Sequence, residues 1–73
     1  MSPLLDARGM RCPWPAVRLA RAMREAGPGA TVRIVADDPI APREIAALAT
    51  ERGWGLRAVD TQIGPGFEIA SPA

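Results

Sequence analysis

One side chain in this sequence stands out for its chemistry. Cys12 is the only cysteine, and it lies in the stretch RGMRCPWPAVR. The 73 residues hold no second cysteine for an internal disulfide and no histidine for a Cys-His pair or a typical zinc site. We therefore expect no metal and no cofactor. The chemistry left to a lone thiol is exchange with a second molecule.

The setting of Cys12 favours a reactive thiol. Pro13 and Pro15 suit the first turn of a helix, because N–H groups there lack partners within the helix. Cys12 is then predicted to be the N-cap, with the Trp14 N–H directed at its sulfur. The positive end of the helix, together with Arg8 and Arg11, would favour the thiolate. The alternative is a small, buried, apolar side chain, the usual place of a free cysteine, but a loop-to-helix junction is more typical of a surface.

The spacing of apolar residues predicts six secondary structure elements. Strands are expected at PLLDA, ATVRIVA, WGLRAV and FEIA, with a turn at Gly64-Pro65-Gly66 before the last strand. A helix is expected over residues 13–26, where Ala16, Leu19, Ala20 and Met23 share one face. A second helix ends near Arg52 and begins either with Asp38 as cap and Pro39 at the first position, or with Pro42 there.

This order, β-α-β-α-β-β, predicts an α+β fold, a two-layer α/β sandwich. The sheet would be mixed and four-stranded, with both helices on one face and the first two strands parallel. We expect a single domain over residues 1–73. Because the N-terminus has no signal-peptide pattern, a cytoplasmic location is expected.

The predicted topology also places the loop DDPIAPR beside Cys12. Parallel strands joined by a crossover helix end at the same edge of a sheet, and the loops there often carry sites. Asp37 and Asp38 could then hold Arg8 or Arg11. Arg43 could reach the thiol, or it could simply be a solvated helix residue.

Charge is distributed unevenly along the chain. Five arginines face one acid in residues 1–24, while the net charge of the whole chain is only +1. Arg18 and Arg21 either belong to a solvated helix face or form a docking surface for an acidic partner. Trp14 is interpreted as a contact for that partner rather than an internal anchor. A regulatory or nucleic-acid-binding module with an incidental cysteine is the alternative, although three aromatic residues and a small net charge disfavour it.

Two stretches resemble the TusA/SirA family of small sulfur-carrier proteins. LLDARGMRCPWPAVRLARAM carries the family's Gly-x-x-Cys-Pro-x-Pro signature, and GATVRIVADDPIAPREI carries its Asp-Pro turn. The sequence departs from the family pattern at Trp14, which is bulkier than the expected polar residue, and at Ala41-Pro42, which replaces a polar cap.

The resemblance implies a relay protein rather than a stand-alone enzyme. Cys12 would carry sulfur as a persulfide, Pro13 and Pro15 would shape its loop, and Asp38 and Pro39 match the second signature. The implied donor is a cysteine desulfurase or rhodanese-like protein, and the acceptors lie in tRNA thiolation, cofactor synthesis or sulfur oxidation. No direct nucleic-acid or membrane contact is expected, and the protein is expected to be a monomer.

Overall fold

The computed structural model describes residues 3–73, and it contains the predicted order of elements. They are β1 (Leu4–Asp6), α1 (Trp14–Ala26), β2 (Thr31–Val35), α2 (Ala41–Arg52), β3 (Gly55–Thr61) and β4 (Gly64–Ala70).

The strands form one mixed sheet in the order β1-β2-β4-β3. β1 runs parallel to β2, whereas β4 is antiparallel to both β2 and β3. The parallel pair follows from the α1 crossover, and the antiparallel β3–β4 pair follows from a tight hairpin. The predicted fold class is confirmed.

The core lies between the two helices and one face of the sheet. Leu19 and Met23 of α1, Ile45 of α2, and Val32 and Ile34 of β2 are all buried in one cluster. Leu19 and Met23 are four residues apart and Val32 and Ile34 two apart, which are the spacings that bring side chains to one face of a helix and of a strand. The predicted apolar stripe of α1 is therefore the stripe that packs.

The hairpin before the last strand differs from the prediction. The turn lies at residues 62–63, immediately before the predicted position, and β4 begins with Gly64, Pro65 and Gly66. The hydroxyl of Thr61 makes this turn by donating to the Gly64 carbonyl at 2.7 Å and accepting from the Ile63 N–H at 3.2 Å.

Neither helix within residues 3–73 has the length and apolar character needed to cross a bilayer.

Candidate functional site

Two loops meet at the end of the parallel strand pair. The β1–α1 loop carries Cys12, and the β2–α2 loop carries Asp37 and Asp38. The Cys12 N–H donates to Asp38 Oδ2 at 2.8 Å, and the Gly9 N–H donates to Asp37 Oδ1 at 2.9 Å. The prediction that these loops are neighbours is confirmed.

Asp38 acts as a clamp between the loops. Its second oxygen, Oδ1, accepts from the Ile40 N–H at 2.9 Å, so one carboxylate binds both segments. The hydrogen bond from the Ile40 N–H, and to a lesser extent the one from the Cys12 N–H, hold the Asp38 pKa below its ordinary value, because both favour the ionised carboxylate. Since the two bonds are charge-assisted, they fix the Cys12 backbone against α2 more firmly than neutral ones would.

The prediction that Cys12 caps α1 is wrong. The N-cap is Pro13, which follows a cis Cys12–Pro13 peptide bond, and its carbonyl accepts from the Val17 N–H. The Trp14 N–H donates to the Arg11 carbonyl at 2.8 Å rather than pointing at the sulfur. This bond closes a turn before the helix, so α1 begins one residue later than expected and Pro15 occupies its second position, where it is buried.

The start of α2 also differs from both alternatives. Its N-cap is Ile40, and Pro42 stands at the second helical position. Asp38 does not cap the helix, because its carboxylate is occupied in joining the loops.

Sequence reasoning missed Glu44, the residue that contacts the thiol. Cys12 Sγ donates to Glu44 Oε1 at 3.2 Å, across 32 positions of sequence. Glu44 lies in the first turn of α2, where the positive end of the helix favours its negative charge. The sequence held one signal for this contact: Glu44 directly follows the loop that was predicted to lie beside the Cys12 loop.

The thiol is not activated as the sequence suggested. The hydrogen bond to Glu44, partial burial and the charges of Glu44 and Asp38 raise the Cys12 pKa above its ordinary value. Arg8 and Arg11 are close to Cys12 in sequence, whereas the fold puts the carboxylates of Glu44 and Asp38 close to it in space. Cys12 is therefore a partly exposed thiol whose surroundings favour the protonated form.

The predicted basic residues lie near the site without touching the sulfur. Arg8 forms an ion pair with Asp6 at 2.8 Å, which lowers the Asp6 pKa to about 2. Arg11 is exposed and contributes to lowering the pKa of Asp38. Asp37 and Asp38 therefore hold backbone N–H groups, not the guanidinium groups expected. Arg43 is exposed, and within residues 3–73 its guanidinium makes no hydrogen bond or ion pair.

An apolar groove runs from the cysteine loop along α1. It has a volume of about 750 Å³ and is lined by Leu5, Met10, Trp14, Val17, Arg18, Arg21, Ala22 and Glu25. Trp14 is 61% exposed and Val17 is 50% exposed. Arg21 pairs with Glu25 at 3.3 Å on the solvent side. The three residues predicted to bind a partner therefore line one surface, which we call the α1 groove.

The fold is a small mixed sandwich in which Cys12 lies where two loops meet, and comparison with known proteins identifies the family to which such a domain belongs. The sequence model of the family "Sulfurtransferase TusA" matches residues 4–70. The chain belongs to this family. Among solved structures, it is similar to a SirA-like protein from Desulfitobacterium hafniense, with a TM-score of 0.82 and 25% sequence identity over 97% of this chain and 99% of that chain.

Proposed function

We propose that this protein is a sulfur carrier, which accepts sulfane sulfur on Cys12 and relays it to an acceptor. The observation that carries the proposal is the placement of the single thiol in a chain of the TusA family. Cys12 is partly exposed, and its backbone is tied down by Asp38. The donor is a cysteine desulfurase or rhodanese-like protein. The acceptor serves tRNA thiolation, cofactor synthesis or sulfur oxidation.

The transfer needs only a thiol and a partner. Cys12 Sγ attacks the terminal sulfur of a persulfide on the donor, forming a new S–S bond on Cys12 as the donor's S–S bond breaks. The electron pair stays on the donor's own sulfur, which takes up the proton that Cys12 loses. The reaction is therefore redox-neutral, and delivery to the acceptor repeats it in the opposite sense.

Supporting roles follow from the contacts around the loop. Pro15 is buried under the start of α1, and Pro13 provides the first carbonyl acceptor of that helix. Both residues limit the backbone next to the sulfur, because the ring of proline fixes φ. Asp38 holds the loop from the opposite side. A rigid loop presents the sulfur to a partner without an ordering cost at each encounter.

The α1 groove is the proposed docking surface for the donor or acceptor. Exposed Trp14 offers a large apolar contact close to Cys12, and aromatic residues of this kind dominate many interfaces. Arg18 and Arg21 border the groove and would select a partner surface with acidic groups.

Intact-mass spectrometry tests the proposal. The protein is incubated with a cysteine desulfurase and L-cysteine, and the wild type should gain the mass of one sulfur atom, which dithiothreitol should remove. Cys12→Ser should fold normally, because serine can still donate a hydrogen bond to Glu44. It should gain no sulfur, because it has no thiol. A wild type that gains no sulfur, or a serine variant that gains as much, would contradict the proposal.

A further inference from the structure

The contact between Glu44 and Cys12 poses a problem for a protein that transfers sulfur. Attack on a persulfide requires the thiolate, yet Glu44 Oε1 accepts a hydrogen bond from the thiol, with 3.2 Å between Sγ and Oε1, and this bond opposes loss of the proton. The resting protein therefore holds its nucleophile in the unreactive form.

The charged groups around the sulfur come from three segments. Glu44 belongs to α2, Asp38 to the β2–α2 loop, and Arg11 to the cysteine's own loop. Both carboxylates raise the Cys12 pKa, whereas Arg11 acts on Asp38. Each oxygen of the Asp38 carboxylate accepts one backbone N–H, from Cys12 and from Ile40.

Within the described part of the chain, the Glu44 carboxylate accepts a hydrogen bond from Cys12 Sγ and forms no ion pair. Its neighbour Arg43 forms no ion pair with a described residue either. Glu44 is only partly buried, so a group from outside can reach it. Asp38 therefore holds the two loops together, whereas the negative charge of Glu44 can still form an ion pair with a partner protein.

We propose that Glu44 is a gate on Cys12, closed in the free protein and opened when a docked sulfur donor pairs a basic side chain with the Glu44 carboxylate. This inference rests on the proposed function and adds a requirement for the donor, which must place an arginine or lysine beside its own persulfide. Such a pair removes the acceptor of the thiol hydrogen bond and neutralises the nearest like charge. Cys12 then loses its proton to solvent, and the thiolate forms next to the donor persulfide, whose own sulfur takes up a proton when its S–S bond breaks. Without a docked donor, the thiol stays protected from oxidants and other electrophiles.

The first half of the proposal is tested without a donor. Alkylation of Cys12 by iodoacetamide is followed across a pH series in the wild type, in Glu44→Gln and in Glu51→Gln. Glu51 is a matched control, because it lies about 10 Å further along the same helix at 1.5 Å per residue and contacts Arg52 instead. Glutamine keeps the shape and an acceptor oxygen but has no charge.

Glu44→Gln should be alkylated about three- to tenfold faster than the wild type at neutral pH, with its midpoint lowered by about half a unit to one unit. Glu51→Gln should follow the wild type. Equal rates and midpoints for Glu44→Gln and the wild type would overturn the gate.

The second half compares alkylation with sulfur loading by a cysteine desulfurase and L-cysteine. If the donor opens the gate through Glu44, Glu44→Gln should gain in alkylation but load no faster than the wild type, so the ratio of loading to alkylation falls at least about threefold, matching the lower bound of the expected pKa shift. An unchanged ratio would overturn the role of the donor's basic group. If Glu44→Gln is alkylated faster than the wild type but neither protein ever gains sulfur from the desulfurase, the proposed function is contradicted, and the requirement for a basic group on the donor with it.

Discussion

Replacing Gly66 with alanine should damage the sheet directly behind the site. Gly66 is buried in β4, opposite the end of β2. A Cβ at this position would overlap the Ile34 carbonyl oxygen and lie 2.9 Å from Val35 Cγ2. The obstacle is mainly backbone rather than the flexible end of a side chain, so β2 and β4 must move apart.

The size of the effect follows from that geometry. Overpacking of this kind costs about 3 kcal/mol, and a loss of 3 kcal/mol in a domain of this size lowers the Tm by about 15 °C. A 73-residue chain is expected to have a free energy of unfolding of about 4–11 kcal/mol. Gly66→Ala should therefore fold with greatly reduced stability. Because β2 leads straight to Asp37 and Asp38, the amides of the cysteine loop should also shift.

Gly55→Ala is the matched control for the assay. Gly55 is the first residue of β3. A Cβ added there would lie 3.8 Å from the nearest atom, the Ala70 carbonyl oxygen, which is an ordinary contact distance, and the φ of Gly55 is not positive. This variant should be as stable as the wild type, or more stable by about 0.5 kcal/mol. Urea and thermal unfolding of the two variants measure the difference. A Gly66→Ala protein within about 0.5 kcal/mol of the control, well below the expected overpacking cost, would refute the packing described for β2 and β4.

Two further predictions concern the site and its docking surface. Acid should release the Asp38 clamp at a pH below the ordinary aspartate pKa. Because the Asp38 pKa is lower in the folded protein than in the unfolded chain, the stabilisation by Asp38 is fully present above the unfolded-state pKa. It is lost as the pH falls through the folded-state pKa. An NMR titration should show the two amides bound to Asp38 shifting together, with a midpoint below the ordinary 3.8; a midpoint at or above that value would contradict the clamp. Reversing both charges in Arg18→Glu/Arg21→Glu should slow sulfur loading about tenfold at low salt and much less at high salt. Arg52→Glu, on the other helix, should load normally, and equal loading by all three proteins would remove the α1 groove from docking.

The fold was predictable because periodicity and chain breaks agree over most of the sequence. The stripe containing Leu19 and Met23 could pack only as a helix against a sheet, and the strand–helix alternation required a parallel pair. The hairpin was not predictable in detail. Gly64-Pro65-Gly66 has the composition of a turn, but Gly66 is needed for close approach between strands, and the hydroxyl of Thr61 makes the turn instead.

The site was predictable in its location but not in its electrostatics. Topology alone placed Cys12 beside Asp38, because both follow parallel strands that end at one edge. The predicted direction of the Cys12 pKa shift was wrong, since the shift depends on Glu44, which lies 32 residues away and accepts a hydrogen bond from the thiol. The order of strands and helices determines which loops meet, but side-chain contacts within about 4 Å, which set the pKa shifts, are known only from the packed structure.

The central claim is that Cys12 both receives and gives up sulfur, and a pulse–chase experiment measures this most directly. The protein is loaded with isotopically labelled sulfur from a cysteine desulfurase and labelled L-cysteine, purified, and then mixed with an excess of desulfurase that has received no L-cysteine, so that the free thiol of the desulfurase can accept the sulfur. Intact-mass analysis should show the label leaving Cys12, which returns to the mass of the free thiol, and appearing on the desulfurase. Labelled sulfur that stays on Cys12 throughout the chase would mean a dead-end modification and would contradict the carrier role.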